Sequence, residues 1–263
     1  MNNSAIKISK YETGIVRVTL NQPEIHNAFD EECIGQLTAT FKDLDNDKSV
    51  RVLILDAAGK SFSAGADLNW MKKMAEYSYD ENDKDSQALA DLMSTLYQMK
   101  CPTIAAVQGS AYGGGVGLVA CCDIAIASRN ASFCFSEVKL GLIPAVISPF
   151  VVKAIGERAA KRYFITAERF DANRALELGL ISESVDEGDL AARVMSIAEL
   201  IIDNGPEAVI AAKELINDVS NKSLDDQLKM MTANRIAEMR ASNQGKEGVN
   251  AFLEKRKANW EQN

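Results

Sequence analysis

Few side chains in this sequence are equipped for chemistry, and their scarcity narrows the choice of mechanism. There is one histidine, His26, in Pro23-Glu24-Ile25-His26-Asn27. A Ser-His-Asp or Cys-His triad would have to use it. A zinc site would need it together with cysteines at ligand spacing, and none are so spaced. A lone loop histidine of this kind reads as a solvated or packing residue. The five cysteines, Cys33, Cys101, Cys121, Cys122 and Cys134, contain no C-x-x-C and lie in apolar or strand-like contexts. They read as buried, reduced thiols of a cytosolic protein. Chemistry is thereby left to carboxylates, backbone amides, lysine or arginine, with no metal expected.

Two turns rich in small residues stand out, Ser61-Phe62-Ser63-Ala64-Gly65-Ala66-Asp67-Leu68 and Gly109-Ser110-Ala111-Tyr112-Gly113-Gly114-Gly115. Each follows an apolar strand-like run and opens a helix-like one. Small residues let the backbone approach a ligand closely, and helix starts leave N–H groups unpaired. Two such turns could aim two donors at one oxygen, forming an oxyanion hole without a side-chain nucleophile. They serve equally to pack helix tightly against sheet, and the residues alone leave both readings open. Glu137 follows Phe133-Cys134-Phe135 among apolar neighbours. Desolvation would raise its pKa and suit it to proton exchange near neutrality; the other reading is a surface pair with Lys139.

Two phosphate-binding patterns fail on inspection. Ala58-Gly59-Lys60-Ser61 resembles the end of a Walker A loop, but the required earlier glycine is Ile54. Gly115-Val116-Gly117-Leu118-Val119-Ala120 matches a dinucleotide fingerprint formally, yet the next strand ends Ala127-Ser128-Arg129-Asn130 without the carboxylate that would hold a ribose.

The elements that must position these residues are legible in part. Ile6, Ile8, Ile15, Val16, Val18 and Leu20, broken at Glu12-Thr13-Gly14, predict a hairpin. Phe29–Leu44 and Ser86–Met99 read as helices from their three- and four-residue apolar spacing. Val50–Leu55 is a nearly continuous apolar run, suited to a strand buried on both faces. Between the helix-forming stretches, residues 69–87 are polar and predict a short helix, then an exposed, mobile loop. Thr103–Gln108 and Asp123–Ala127 read as strands around a small-residue helix, Val116–Cys121. That alternation predicts an α/β fold with parallel pairing up to about residue 150. Beyond Phe150 the expectation is helical: 151–155, 159–164, 171–178, 190–202, 206–219 and 223–239. No internal repeat is visible, and one compact unit is expected.

With 47% hydrophobic and 25% charged residues, the chain has enough apolar side chains to fill a core. Its net charge of -8, from 37 acidic against 29 basic residues, argues against nucleic-acid binding over a whole face. No apolar run reaches the roughly 18 residues of a membrane-spanning helix. Met1–Gly14 is polar and lacks a secretory apolar segment. A cytoplasmic location, with no membrane partner, is the expectation.

Taken together, several motifs resemble those of the crotonase family, the enoyl-CoA hydratase/isomerase superfamily. They are Ser63-Ala64-Gly65-Ala66-Asp67-Leu68, Ala111–Gly117 with Cys122-Asp123, Ser136-Glu137 with Gly141-Leu142-Ile143-Pro144, and Phe252–Trp260. The resemblance covers essentially the whole chain. Asn69-Trp70-Met71 and Pro144-Ala145-Val146-Ile147-Ser148-Pro149 are most similar to the methylglutaconyl-CoA and γ-carboxygeranoyl-CoA hydratase branch. The resemblance implies an α/β, ClpP-like spiral of ββα units: a core over residues 1–200 and a C-terminal helical trimerisation region over 201–263. It also implies a homo-oligomer, a trimer or a dimer of trimers.

The resemblance further implies that the amides of Ala66 and Gly114 form an oxyanion hole for a thioester carbonyl, with Glu137 as general acid/base. Ile25, His26, Ala28, Ala64, Asp67 and Leu68 match positions lining a CoA groove. Phe252 and Lys255 match positions reaching the nucleotide end, often across a subunit contact. The partner is then an acyl-CoA thioester, and CoA is carried by the substrate, so no separate cofactor is expected. One position departs: where two-carboxylate hydratases carry a second Glu, three residues past the second oxyanion amide, this chain has Gly117. That keeps open a Δ3,Δ2-enoyl-CoA isomerase or a non-catalytic acyl-CoA-binding protein beside a hydratase.

Overall fold

The computed structural model describes residues 4–261; Met1–Asn3, part of the opening segment read above for a leader, lie outside the described residues. The hairpin forms as its pattern requires. Strand β1 (Ile6–Lys10) pairs antiparallel with β2 (Ile15–Leu20), and Gly14 turns between them at φ 88°. From β2 the main sheet continues in parallel through β3 (Val52–Ala57), β5 (Thr103–Val107), β7 (Ile124–Ser128) and β10 (Glu183–Val185). A second sheet holds four short strands, β4 (Ser61–Ser63), β6 (Ser110–Tyr112), β8 (Ser132–Cys134) and β9 (Phe170–Asp171).

The apolar run in β3 is buried on both faces, and alternation sorts its side chains. Leu53 and Leu55 face a large core shared with α1 (Glu31–Asn46) and α3 (Tyr79–Tyr97). Val52 and Ile54 face a smaller core against Leu190, Val194 and Ala198 of α7 (Leu190–Ile202). Burying a side chain of this size contributes about 1.5–3 kcal/mol, so the period-two pattern alone fixes which face meets which helix. The second sheet turns Phe62, Ala111, Phe133 and Phe170 inward, all buried.

Three successive turns of chain share one plan: β3–β4 then α2 (Leu68–Met74) and α3, β5–β6 then α4 (Gly114–Cys121), and β7–β8 then α5 (Ser148–Thr166). The repeat was invisible in the sequence because the second strand of each unit spans only three residues. That is too short to show a period, and what reads as a glycine turn is in fact a strand, a bend and a helix start.

Other expectations need correction. Residues 79–85 are not a loop but the first turns of α3. The signal is a capping box: the Ser78 hydroxyl accepts from the Glu81 N–H, and the Glu81 carboxylate accepts from the Ser78 N–H at 2.8 Å. The part beyond residue 150 is not purely helical, since β9 and β10 each complete a sheet. The two helical stretches at 151–155 and 159–164 join as α5, interrupted at Gly156, whose φ of 74° and ψ of 159° are non-helical. After α6 (Ala172–Leu178) and α7 come α8 (Pro206–Val219), α9 (Asp226–Ala241) and α10 (Asn243–Glu254), the last not foreseen. Among the described residues, α8 and α9 bury no side chain, and α10 buries only Ala251. No helix of the described residues is long and apolar enough to cross a membrane.

Candidate active site

The two glycine-rich turns meet. Parallel pairing of β4 with β6 sets Ser61 opposite Ser110 and Ser63 opposite Ala111, which brings the following bends side by side. Gly65, at φ 91°, passes so close to the second turn that a Cβ there would lie 3.2 Å from the Tyr112 carbonyl oxygen. Gly113 is likewise in a positive-φ conformation, 49°, as the residue preceding α4. A Cβ on Gly115 would lie 2.9 Å from Cβ of Ser63. Glycine is therefore required for the close approach, so the packing reading of these turns holds, and it is the means by which the two bends come together.

Phe29 ties the turns to each other. Its N–H donates to the Gly65 carbonyl at 2.7 Å, and its carbonyl accepts from the Asp67 N–H at 2.8 Å. In this parallel bridge with Ala66, the N–H of Ala66 itself points to the other side. The Phe29 ring meanwhile lies under Gly114, where a Cβ would be 3.1 Å from Cε2. No side chain caps α4. Among the described residues, neither the Ala66 nor the Gly114 N–H has a protein acceptor. Two unpaired main-chain donors thus flank one contact between two turns. Asp67 holds the first in place: its carboxylate caps α2, accepting from Asn69 N at 2.8 Å and Trp70 N at 3.1 Å.

Glu137 closes the arrangement. It begins a short 3-10 helix, Glu137–Leu140, directly after β8. Its Oε1 is close to Gly113, 3.3 Å from where a Cβ would stand. Its Oε2 is buried without a hydrogen-bond partner. Burial pushes its carboxyl above the ordinary glutamate range. The alternative reading, a surface pair with Lys139, is not what forms: among the described residues no ion pair involves Glu137.

The residues matched above to a CoA groove, Ile25, His26, Ala28, Ala64, Asp67 and Leu68, lie around the first turn. Ile25 ends a 3-10 helix, and His26 and Asn27 follow at φ 55° and 53°. The buried Asn27 side chain donates to the Ala58 and Ser61 carbonyls at 2.8 and 2.9 Å and accepts from Gln22 N. The His26 carbonyl accepts from Ala64 N at 3.0 Å, so residues 25–28 and 64–68 are neighbours. The exposed His26 ring has its Nδ1 3.1 Å from Ser61 Oγ. Ala28 is buried, whereas Leu68 is 73% exposed. Phe252, 83% exposed, and Lys255, in a left-handed conformation, lie at the end of α10, which packs on α8 and α9. Among the described residues, no hydrogen bond or ion pair joins them to the glycine turns. Among the described residues, the exposed Lys72 and Lys73 of α2 form no ion pair. The thiols are no rivals to Glu137: burial pushes Cys33, Cys101 and Cys122 up to about 12.

Three residues of the site escaped sequence reasoning. Phe29 reads as the start of a helix that begins only at Glu31. Met93 and Ile147 are legible as apolar positions, of a helix face and of the Pro144–Pro149 stretch, but no local pattern shows that both pack against residue 117.

Free amides beside a half-buried carboxylate suit stabilisation of an enolate and proton transfer next to it. Residues 10–263 match the enoyl-CoA hydratase/isomerase family. A Legionella pneumophila structure with the provisional name enoyl CoA hydratase/isomerase (crotonase) is 49% identical, with a TM-score of 0.95 over 98% of this chain and 100% of that one. The structure of an enoyl-CoA hydratase from Shewanella pealeana is 44% identical, with a TM-score of 0.93 over 97% and 96%. The short-chain-enoyl-CoA hydratase of Clostridium acetobutylicum is 33% identical over 95% of each chain.

Proposed function

The chain belongs to the enoyl-CoA hydratase/isomerase family, and from that premise we propose that it adds water across the 2,3 double bond of a 2-enoyl-CoA thioester. The observation that carries this reading is the unpaired Ala66 and Gly114 amides beside the buried Glu137 carboxylate. The thioester oxygen accepts from both amides, each such donor being worth about 3 kcal/mol at the barrier. Glu137 takes a proton from water as the water oxygen bonds to C3, and a proton from Glu137 goes to C2. The sum is one H2O added, with no covalent intermediate on the protein. CoA arrives and leaves with the acyl group. Its pantetheine runs past Ile25, His26, Ala28, Ala64, Asp67 and Leu68.

The acyl group we assign is branched and carboxylated. The support is the likeness at Asn69-Trp70-Met71 and Pro144–Ile147 and an electrostatic argument. Two unit charges about 4 Å apart repel by about 4 kcal/mol in a typical protein-surface environment. A site with Glu137 alone spares an anionic substrate one of two such repulsions, and Lys72 or Lys73 stands available for its distal carboxylate. We further assign a homo-oligomer, a trimer or a pair of trimers, in which a second copy covers the apolar side chains left exposed on α8–α10, Ile216, Met230, Ile236 and Leu253 among them. Phe252 and Lys255 would then serve a neighbour's nucleotide end, and the protein would work in the cytoplasm.

One observation favours a second reading. Gly117 leaves no carboxylate beside Glu137, and a lone carboxylate suffices to move a proton between C4 and C2 in a Δ3,Δ2-enoyl-CoA isomerase. Water-dependent loss of enoyl-thioester absorbance separates the two. The substrate is tested by kcat/KM for 3-methylglutaconyl-CoA against crotonyl-CoA at low and high salt. The branched acid is expected to be preferred; equal or reversed preference at both salt levels refutes the substrate assignment.

A further inference from the structure

A glycine decides what stands beside Glu137. A Cβ on residue 117 would lie 2.3 Å from Cγ2 of Ile147, 3.0 Å from its Cβ and 3.1 Å from Cε of Met93. Carbon atoms in contact sit about 3.5–4.0 Å apart, so the side-chain space of residue 117 is already occupied. The occupant is not free to move aside. Ile147 is 2% exposed, branched at Cβ and therefore stiff at χ1. Its carbonyl accepts from Val151 N at 3.1 Å at the start of α5. Met93 is fully buried in α3, with its sulfur 3.9 Å from that of Cys121. Met93 also reaches Gly114, where a Cβ would be 3.9 Å from its Cε.

The segment that delivers Ile147 also delivers Glu137. Leu142 N donates to the Glu137 carbonyl at 3.1 Å, Ala145 N to the Ile143 carbonyl at 2.8 Å, and Ser148 Oγ to the Ala145 carbonyl at 2.7 Å. Gly117 N in turn donates to the Gly113 carbonyl at 3.2 Å, so the two glycines are one helical turn apart. One loop therefore sets a carboxylate against Gly113 and an isoleucine against Gly117.

We propose that Ile147 is a positioning residue of this site: with Met93 it holds the side-chain space of residue 117, keeps a second titratable group off the first turn of α4, and leaves Glu137 as the sole proton carrier. This rests on the reading of Glu137 as acid/base. Glycine at 117 and isoleucine at 147 then form one unit, and neither can be changed to a carboxylate-bearing arrangement alone.

The test is a cycle of Gly117→Glu, Ile147→Ala and the double variant, read by thermal melting and by hydration of crotonyl-CoA, with Glu137→Gln made alongside. Gly117→Glu alone should melt well below wild type. Adding Ile147→Ala should restore part of that loss, and the double variant should hydrate crotonyl-CoA at least 10-fold faster than Ile147→Ala, a modest share of the roughly 10²–10⁴-fold contributed by a placed acid–base group. Where Gly117→Glu does not accumulate, Gly117→Ala in the same cycle supplies the melting comparison. Additive melting effects, or a double variant no faster than Ile147→Ala while Glu137→Gln is inactive, overturn the proposal alone. A Glu137→Gln variant that keeps its turnover overturns the acid–base reading, and the proposal with it, whatever the melting cycle shows.

Discussion

Replacing Glu137 by glutamine should make the protein less active and more stable, and the two effects should part company with pH. The carboxylate is half-buried, its Oε2 is enclosed without a partner, and this burial raises its pKa. The folded state thus holds the carboxyl proton more tightly than the unfolded chain does. Stability from that preference is present at acid pH and is lost as pH rises through the raised pKa. Above it, wild type keeps an uncompensated charge in a dry place, whereas the amide does not titrate. An unsatisfied buried group costs about 1–3 kcal/mol. The amide leaves its own N–H groups without acceptors, so a net gain of about 1 kcal/mol is expected, or about 2–4 °C in Tm. Near neutral and alkaline pH the variant should melt higher, and the gap should close on the acid side. Turnover should fall by about 10²–10⁴-fold, with CoA-ester binding nearly intact, because Gln keeps the shape but can neither accept nor give up a proton near neutral pH. The wild-type kcat/KM should drop on the acid side as the carboxylate is protonated, and this limb should be absent in the variant. Melting over a pH series, with the enoyl-thioester absorbance assay, reads all of this. Near-wild-type turnover, or a Tm gap that ignores pH, would refute the reasoning.

Three further outcomes follow from the same geometry. Gly65→Ala places a Cβ at φ 91° and 3.2 Å from the Tyr112 carbonyl oxygen; it should cost about 1–2 kcal/mol in stability and lower kcat more than it raises KM, and an unchanged kcat would detach the turn from catalysis. Asp67→Ala removes the cap of α2, at a cost of about 0.5–2 kcal/mol, and should lower kcat by shifting Ala66; Asp67→Asn should restore most of both, as measured by melting and steady-state rates. Phe252→Ser with Lys255→Ala, both at exposed positions, should leave melting nearly unchanged and raise KM more than it lowers kcat, since remote contacts act mainly on binding; an unchanged KM in the intact protein would count against the assigned nucleotide end.

Whatever a local pattern encodes is legible in the sequence of this chain. The alternation in β2 and the apolar run in β3 gave strands with the right faces, and Pro206–Val219 was legible to the residue because a proline opens it. Ser78 and Glu81 carry a capping box, a local signal of the start of α3 that lies within a run of charges. The short strands β4, β6 and β8 are not visible in the sequence, because a strand of three residues is too short to show a periodicity of its own. At the site, Glu137 and the glycine turns were legible from their residue types. Phe29, Met93 and Ile147 were not: an apolar residue becomes part of a site only through what it touches, and the partners of Ile147 lie about thirty and fifty residues away along the chain. The weights of the two readings of the glycine turns could not be settled from sequence either, since tight packing and free amides turned out to be one arrangement.

Both donors at the junction of Gly65 and Tyr112 are main-chain groups, and this bears on how the protein tolerates mutational drift. A side-chain catalyst vanishes with a single codon change. An amide does not, because every residue except proline carries one. Side-chain substitutions at 66 or 114 other than proline keep the N–H itself, so the pair of donors does not depend on the identity of one side chain. The pair is disturbed instead by deformation, as through a Cβ at Gly65 or Gly113, a proline at 66 or 114, or loss of the Asp67 cap. The donors are therefore tied to the backbone path of the two turns, and that path, not the identity of a reactive side chain, is what must be preserved for charge to be stabilised here.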